Sequence, residues 1–400
     1  MRKMKDSGIE WIGEMPEEWE VSKIKYFYSC YDGKRRPIDS AERIDGPYPY
    51  WGAGNITDSV NDYLFDEELV LLGEDGAPFF DPTRPVAFLV SGKIWVNNHI
   101  HVLKPRNICS KFLVYFLNSV DYGTYINGSI LNKLTQSNMN NIAFVFPEQA
   151  TQSRIADFLD DKCGKIDRYI ETQRAIIEKL KAYKQAVITE NIEKNNKKTI
   201  SLRHCIINIE QGWSPPAADQ VNERLGWSVL SLSAVKHGEF NNDAKKSIDI
   251  NADIPYILEL HNNDFLMTRS NTRELVGDVC IVENCSPRMI FSDLIYRISF
   301  KDEISIKYMR YVMLSSYVRQ QIQEKAKGSS GTMPKISHKS IKEIYVPLPD
   351  AEQQREIVVL LDEICDKIDQ AIIRRKIIID KLTEYKKSLI YEVATGKKEV

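Results

Sequence analysis

Residues 147–190 of this chain return, without a gap, at residues 349–392. The offset of 202 residues lays Ile155 on Ile357, Leu159 on Leu361, Asp160 on Asp362, Cys163 on Cys365, Ile166 on Ile368, Asp167 on Asp369, Leu180 on Leu382, Tyr183 on Tyr385 and Lys184 on Lys386. Self-similarity over such a span means that one structural unit is used twice. Both copies lack internal proline, are rich in Ile, Leu, Lys, Glu and Gln, and space apolar residues three and four apart, so each reads as one long helix with an apolar seam. The seam runs Ile155, Leu159, Ile166, Tyr169, Ile176, Leu180, Tyr183, Val187 in the first copy. In the second it runs Ile357, Leu361, Ile364, Ile368, Ile378, Leu382, Tyr385, Leu389. Lys162, Gln173 and Arg375 read as polar interruptions within it. About 40 helical residues make a rod of roughly 60 Å.

The likeness continues upstream. Leu113–Ser119 parallels Met309–Ser316 as an amphipathic helix, and the Gly128-Ser129 to Lys133-Leu134 loop parallels Gly328-Ser329 to Lys335-Ile336. The strand segments LVLLGED and IWVNNHIHVL parallel FLMTRSN and MIFSDLIYRIS in the same order, and VSKIKYFYSCYDGKRRP parallels TISLRHCIINIEQGWSPP. The expected organisation is a strand-rich domain at 1–147, a helix at 148–190, a polar linker at 191–199, a second domain at 200–349, and a second helix with its tail at 350–400.

Net charge near −2 argues against a protein that grips nucleic acid over its whole surface, so any such contact must be local. Seven scattered cysteines without CxxC spacing fit reduced, mostly buried thiols. His99 and His101 form the only close histidine pair, without the cysteine pair a zinc finger needs; they read as two side chains on one face of a strand, and no metal is expected. No apolar run approaches a membrane span, and the chain is expected to be cytoplasmic.

The opening DSGIEWIGEMPEEWEVSKIK, the twofold order of domain and helix, the entrance LPDAEQQREI to the second helix and the ending YKKSLIYEVATGKKEV resemble the specificity subunit of type I restriction-modification systems over essentially the whole chain. One departure is PEQATQSRI at the first helix entrance, which lacks the Glu352-Gln353 pair of the second. The resemblance implies an α+β protein: two α/β target recognition domains in tandem, each followed by a long helix, the helices pairing as an antiparallel coiled coil. It implies a non-catalytic DNA-reading subunit, each domain reading half of a bipartite asymmetric target. Its implied partners are double-stranded DNA, two methyltransferase subunits docked on the helices, and a motor-nuclease subunit. It implies no cofactor of its own, with S-adenosylmethionine and ATP on the partners. Two look-alike readers suit half-sites spaced about 34–36 Å, one turn of the duplex.

The residues themselves offer no competing chemistry. FFDPTRP has threonine where an adenine-clamping motif needs its second proline, the glycines of WGAGN follow no buried strand, and no GxxxxGK[ST] phosphate loop occurs. A self-sufficient DNA-modifying enzyme and a coiled-coil adaptor without DNA contact are the alternatives. Bases are read by Arg, Lys, Asn and Gln, and phosphates by basic and hydroxyl groups. The candidate DNA contacts are Lys34, Arg35, Arg36, Asn55, Asn97, Asn98, Ser129 and Lys133 in the first domain, and Trp213, Ser214, Arg269, Asn271, Thr272, Arg273, Ser329 and Lys335 in the second. Helix pairing is expected from Ile155, Leu159, Ile166, Leu180, Tyr183, Ile357, Leu361, Ile368, Leu382 and Tyr385.

Overall fold

The computed structural model describes residues 2–81, 83–126, 132–194, 198–214, 226–248, 254–328 and 333–400. The chain divides into two compact units, one made of Met1–Ala175 and Arg375–Val400, the other of Ile176–Arg374. The divisions fall inside the long helices, Gln149–Lys194 and Ala351–Ala394, rather than at the domain ends expected from sequence.

In the first unit the apolar run Leu69–Gly73 is buried along its whole length, as a strand covered on both faces must be. It lies between Ile100–Pro105 and Ala87–Val90, and Tyr28–Cys30 completes an antiparallel sheet of four. A second sheet places Tyr48–Trp51 parallel to Lys93–Val96 and antiparallel to Ile56–Val60. Glu20–Lys23 pairs with Ala143–Phe146. Helix Ser110–Leu117 buries Phe112, Leu113, Phe116 and Leu117, and these share a core with Trp19, Phe144, Leu159 and Leu389.

The second unit repeats the main pairings of this plan. Ile206–Gln211, Ile295–Phe300, Phe265–Thr268 and Val279–Ile281 form the antiparallel sheet in the same order. Ser228–Leu230 lies parallel to Met289–Phe291 and antiparallel to Lys245–Ser247. Thr199–Ser201 pairs with Tyr345–Pro347, and helix Ile306–Leu314 covers the core. The α+β class and the duplication both hold.

Each unit contains a portion of both long helices. In the first, Asp167 pairs with Lys386 at 2.7 Å and Gln173 with Arg375 at 2.9 Å, so the helices run antiparallel there. In the second, Lys184 pairs with Asp369 at 2.6 Å. The two ion pairs are the same pair in repeat numbering with the copies exchanged.

The seam itself differs from the one expected. Tyr183 is 58% exposed and Tyr385 53% exposed, so neither is a pairing residue. The buried row passes through Cys163, Ile166, Ile170, Gln173, Ile177 and Val187, and at the repeat-equivalent places through Cys365, Ile368, Ile372 and Leu389, with Arg375 partly buried. Tyr169 is half exposed, and Lys162 lies on the exposed side rather than in the seam. The physical reason is that the strict three-four alternation requires polar residues at 173 and 184. Following apolar residues alone slips the reading one place, to Tyr169, Ile176 and Tyr183. Ile155, Leu159, Ile166, Ile357, Leu361 and Ile368 are buried as expected, and Leu180 and Leu382 are partly buried. The first helix also runs to Lys194, four residues into the expected linker, because Ile192 extends the stripe and is fully buried.

Candidate nucleic-acid interface

In the first unit the loops after the central strands are tied to one buried polar centre. Asp32 accepts from the Val102 amide at 2.8 Å and from His101 Nδ1 at 2.6 Å. His101, 1% exposed, donates through Nε2 to the Leu134 carbonyl at 2.8 Å. Arg35 completes the centre, with Nη1 on Glu74 at 2.5 Å and on the Ile100 carbonyl at 2.9 Å. Lys133 reaches the other Glu74 oxygen at 3.5 Å and forms a backbone bridge with Asp75. Burial works to raise the Asp32 carboxyl, but hydrogen bonds from His101 and Val102 and the Arg35 charge outweigh it and hold it below the ordinary aspartate value.

Asp32, Glu74 and His101 form the one trio among the described residues close enough to hold a cation. Arg35 already pairs with both carboxylates, at 3.6 Å from Asp32 and 2.5 Å from Glu74, and both ring nitrogens are hydrogen-bonded, so the geometry is that of a brace. His101 lies within strand Ile100–Pro105, whereas His99 precedes it, 49% exposed beside Asp75, so the two do not share a strand face.

Around this brace lie the candidate contacts. Lys34 is exposed with its ammonium 3.8 Å from the Tyr31 ring centroid, and Arg36 is exposed while its carbonyl accepts from Trp95 Nε1 at 2.6 Å. Asn55 is exposed at the end of a turn closed by the Gly52 amide on its carbonyl at 2.9 Å. Asn97 caps the His99 amide at 2.8 Å, and Asn98 is exposed beside it. Arg35 differs from its neighbours: its side chain is 14% exposed and its donors face inward.

The second unit gathers its candidates at the corresponding strand ends. Gly212 approaches so closely that an added Cβ would sit 2.2 Å from the Phe291 carbonyl, which only glycine allows. Trp213, half-buried against the Leu230–Phe291 core, donates its amide to that carbonyl at 2.9 Å. The Ser214 hydroxyl bonds the Asp293 carboxylate, and Arg269 Nη1 reaches the Asp293 carbonyl at 3.3 Å. Asn271 accepts from the Thr272 amide at 2.9 Å, and Thr272 and Arg273 are exposed at the crest. Lys335, exposed, bridges Ser270 just as Lys133 bridges Asp75. The next carbonyl is held from the neighbouring strand in both units, Leu134 by His101 and Ile336 by the Tyr296 hydroxyl at 3.3 Å. Ser129 and Ser329 lie outside the described residues.

The same two contacts fasten each domain to the helix that follows it. Gln152 donates to the Pro147 carbonyl at 2.9 Å and accepts from the Cys109 amide at 2.9 Å; Gln354 does the same with Pro349 at 3.0 Å and Ser305 at 2.9 Å. Asp160 accepts from the Tyr115 hydroxyl at 2.7 Å and Asp362 from that of Tyr311 at 2.5 Å.

Comparison with known proteins agrees with this duplication. The family described as type I restriction modification DNA specificity domain matches residues 16–182 and 229–378, one stretch in each repeat. The chain belongs to that family. A Haemophilus influenzae protein provisionally named a type I restriction enzyme specificity subunit is 31% identical over 144 residues, 36% of this chain and 37% of that one. The chain thus spans little more than a third of that relative's length. The Methanocaldococcus jannaschii type I restriction enzyme MjaVIII specificity subunit is 22% identical across 96% of this chain and 93% of its own. A solved chain described under complex assembly and conformational transition of the type I R-M system superposes with a TM-score of 0.66 at 14% identity, covering 96% of this chain and 99% of that one, which establishes a shared fold.

Within this specificity-domain frame, sequence reasoning missed the bracing residues Asp32, Glu74, His101 and Asp293, which carry no base-reading signature. The Glu352-Gln353 pair distinguishes the entrance to the second helix from that to the first. Those two supply backbone amides to the Asp350 carboxylate, at 3.1 and 2.9 Å, whereas the side chain that matters is the next residue, Gln354. The signal was available, since Gln152 occupies the same place in the first copy.

Proposed function

We propose that this chain is the DNA sequence-reading subunit of a type I restriction-modification complex, working in the cytoplasm. Each unit reads one half of a bipartite asymmetric target, and the chain performs no chemistry of its own. The duplicated topology carries this reading: two copies of one domain present basic and amide-bearing loops at the same strand ends. Lys34, Arg36, Asn55 and Asn98 in the first unit, and Ser214, Thr272, Arg273 and Lys335 in the second, have the exposure that base or phosphate contact requires. Arg35 acts from beneath, as the brace of its loops.

The long helices serve as the mounting for two methyltransferase subunits. Tyr183 and Tyr385, repeat-equivalent and both more than half exposed, offer the same aromatic anchor in each unit. S-adenosylmethionine is held by those subunits, and ATP by a motor-nuclease subunit that joins them. With a net charge near −2 there is little counterion release to draw on, so the chain binds DNA weakly alone and tightly with its methyltransferase partners.

Mapping methylated adenines in the source genome with and without this gene tests the reading. A two-part motif that vanishes with the gene is expected, and an unchanged methylation pattern contradicts it. Transfer of a labelled methyl group to DNA by the purified chain alone would favour a self-sufficient enzyme instead.

A further inference from the structure

The second unit holds a partly buried arginine that, among the described residues, no carboxylate approaches within ion-pair distance. Arg319 lies on helix Ser316–Lys325, and its Nη2 donates to the carbonyls of Glu274 and Val276, both at 2.8 Å. Its Nη1 is buried without a hydrogen-bond partner. A guanidinium in that position is a poor way to hold a core together, because an apolar side chain would fill the space without leaving a donor unsatisfied. Its two bonds go instead to the backbone of one short segment, 271–276, whose crest carries Thr272, Arg273 and Glu274 exposed to solvent.

That segment is fixed from its other sides as well. Thr268, fully buried, donates its hydroxyl to the Leu275 carbonyl at 2.7 Å and accepts from the Asp278 amide at 3.0 Å. Gly277 closes the segment at φ +69°, where an added Cβ would stand 2.6 Å from Ile322 Cγ2 on the Arg319 helix. The segment is therefore pressed against that helix with no room to shift toward it. Of these braces, only Arg319 reaches the backbone beside Arg273 from a separate element.

We infer that Arg319 is a positioning residue for recognition of the second half-site: it sets the height of the Asn271–Glu274 loop over the DNA without touching DNA itself. The inference rests on the proposed reading of this loop as a DNA contact. Loss of the guanidinium leaves two carbonyls without donors and lets the crest relax, so a contact that needs Arg273 in register weakens while contacts made by the first unit do not.

The test uses the chain assembled with its methyltransferase partners and duplexes carrying the mapped target, the target with its first half scrambled, and the target with its second half scrambled. Arg319→Met should reduce discrimination against the scrambled second half by about tenfold or more, the scale of one lost base contact. Discrimination against the scrambled first half should stay at the wild-type value, which also shows that the variant is folded. Arg319→Lys, able to place one ammonium near the same carbonyls, should recover part of the loss. A folded Arg319→Met complex with unchanged second-half discrimination, or with equal loss in both halves, overturns the assignment while leaving the DNA-reading role intact. A wild-type complex that distinguishes neither scrambled half overturns the DNA-reading role and this inference with it.

Discussion

Single residues in this protein divide sharply between those that face solvent at the strand ends and those that hold them there. Arg35 and Arg36 are adjacent and chemically alike, yet one is locked against Glu74 and the other is exposed. Asp32 is the centre of that lock, and its carboxyl is held below the ordinary aspartate value. Its stabilising effect is therefore fully present above the ordinary aspartate range and is lost as pH falls through the depressed value. Asp32→Asn should destabilise the first unit by about 1–3 kcal/mol at neutral pH, the effect of leaving buried donors without their charged acceptor. Thermal unfolding followed from pH 7 into acid should show the gap between wild type and variant closing as Asp32 protonates; a gap that stays constant would show that the carboxylate charge is not what matters. Sequence alone placed Arg35 with its neighbours because a run of basic residues carries no sign of which one has an acid waiting 39 positions away.

At the scale of elements, the long helices were legible and their facing was not. Length, absence of proline and the repeat defined both rods to within a few residues. The seam required accepting Gln173 and Lys184 as inward positions, which hydrophobic periodicity cannot do. Gln173 is 2% exposed and bonded to Arg375, its own counterpart in the repeat, so the two form a polar layer inside the buried row. Polar layers of this kind fix register at some expense of stability. Arg375→Leu alone should destabilise by about 1–3 kcal/mol by leaving the buried amide without its partner. Gln173→Leu with Arg375→Leu should return to wild-type stability or exceed it. A denaturant midpoint for the double variant below that of either single variant would show that the pair is stabilising in its own right.

The whole molecule is one design executed twice, and this was the part that sequence reported best, because a repeat of both pattern and order survives even where the loops diverge. What sequence could not supply is which loop residues face outward, since that depends on braces contributed by distant strands and by helix Ser316–Lys325. The account stands on each unit reading its own half of the target. The most direct measurement is a map of methylated adenines in cells whose only copy of this chain has residues 271–274 replaced by Ala-Gly-Ala-Gly. The account predicts a motif in which one half becomes degenerate while the other is read as before. A motif unchanged in both halves, or degraded equally in both, would contradict it.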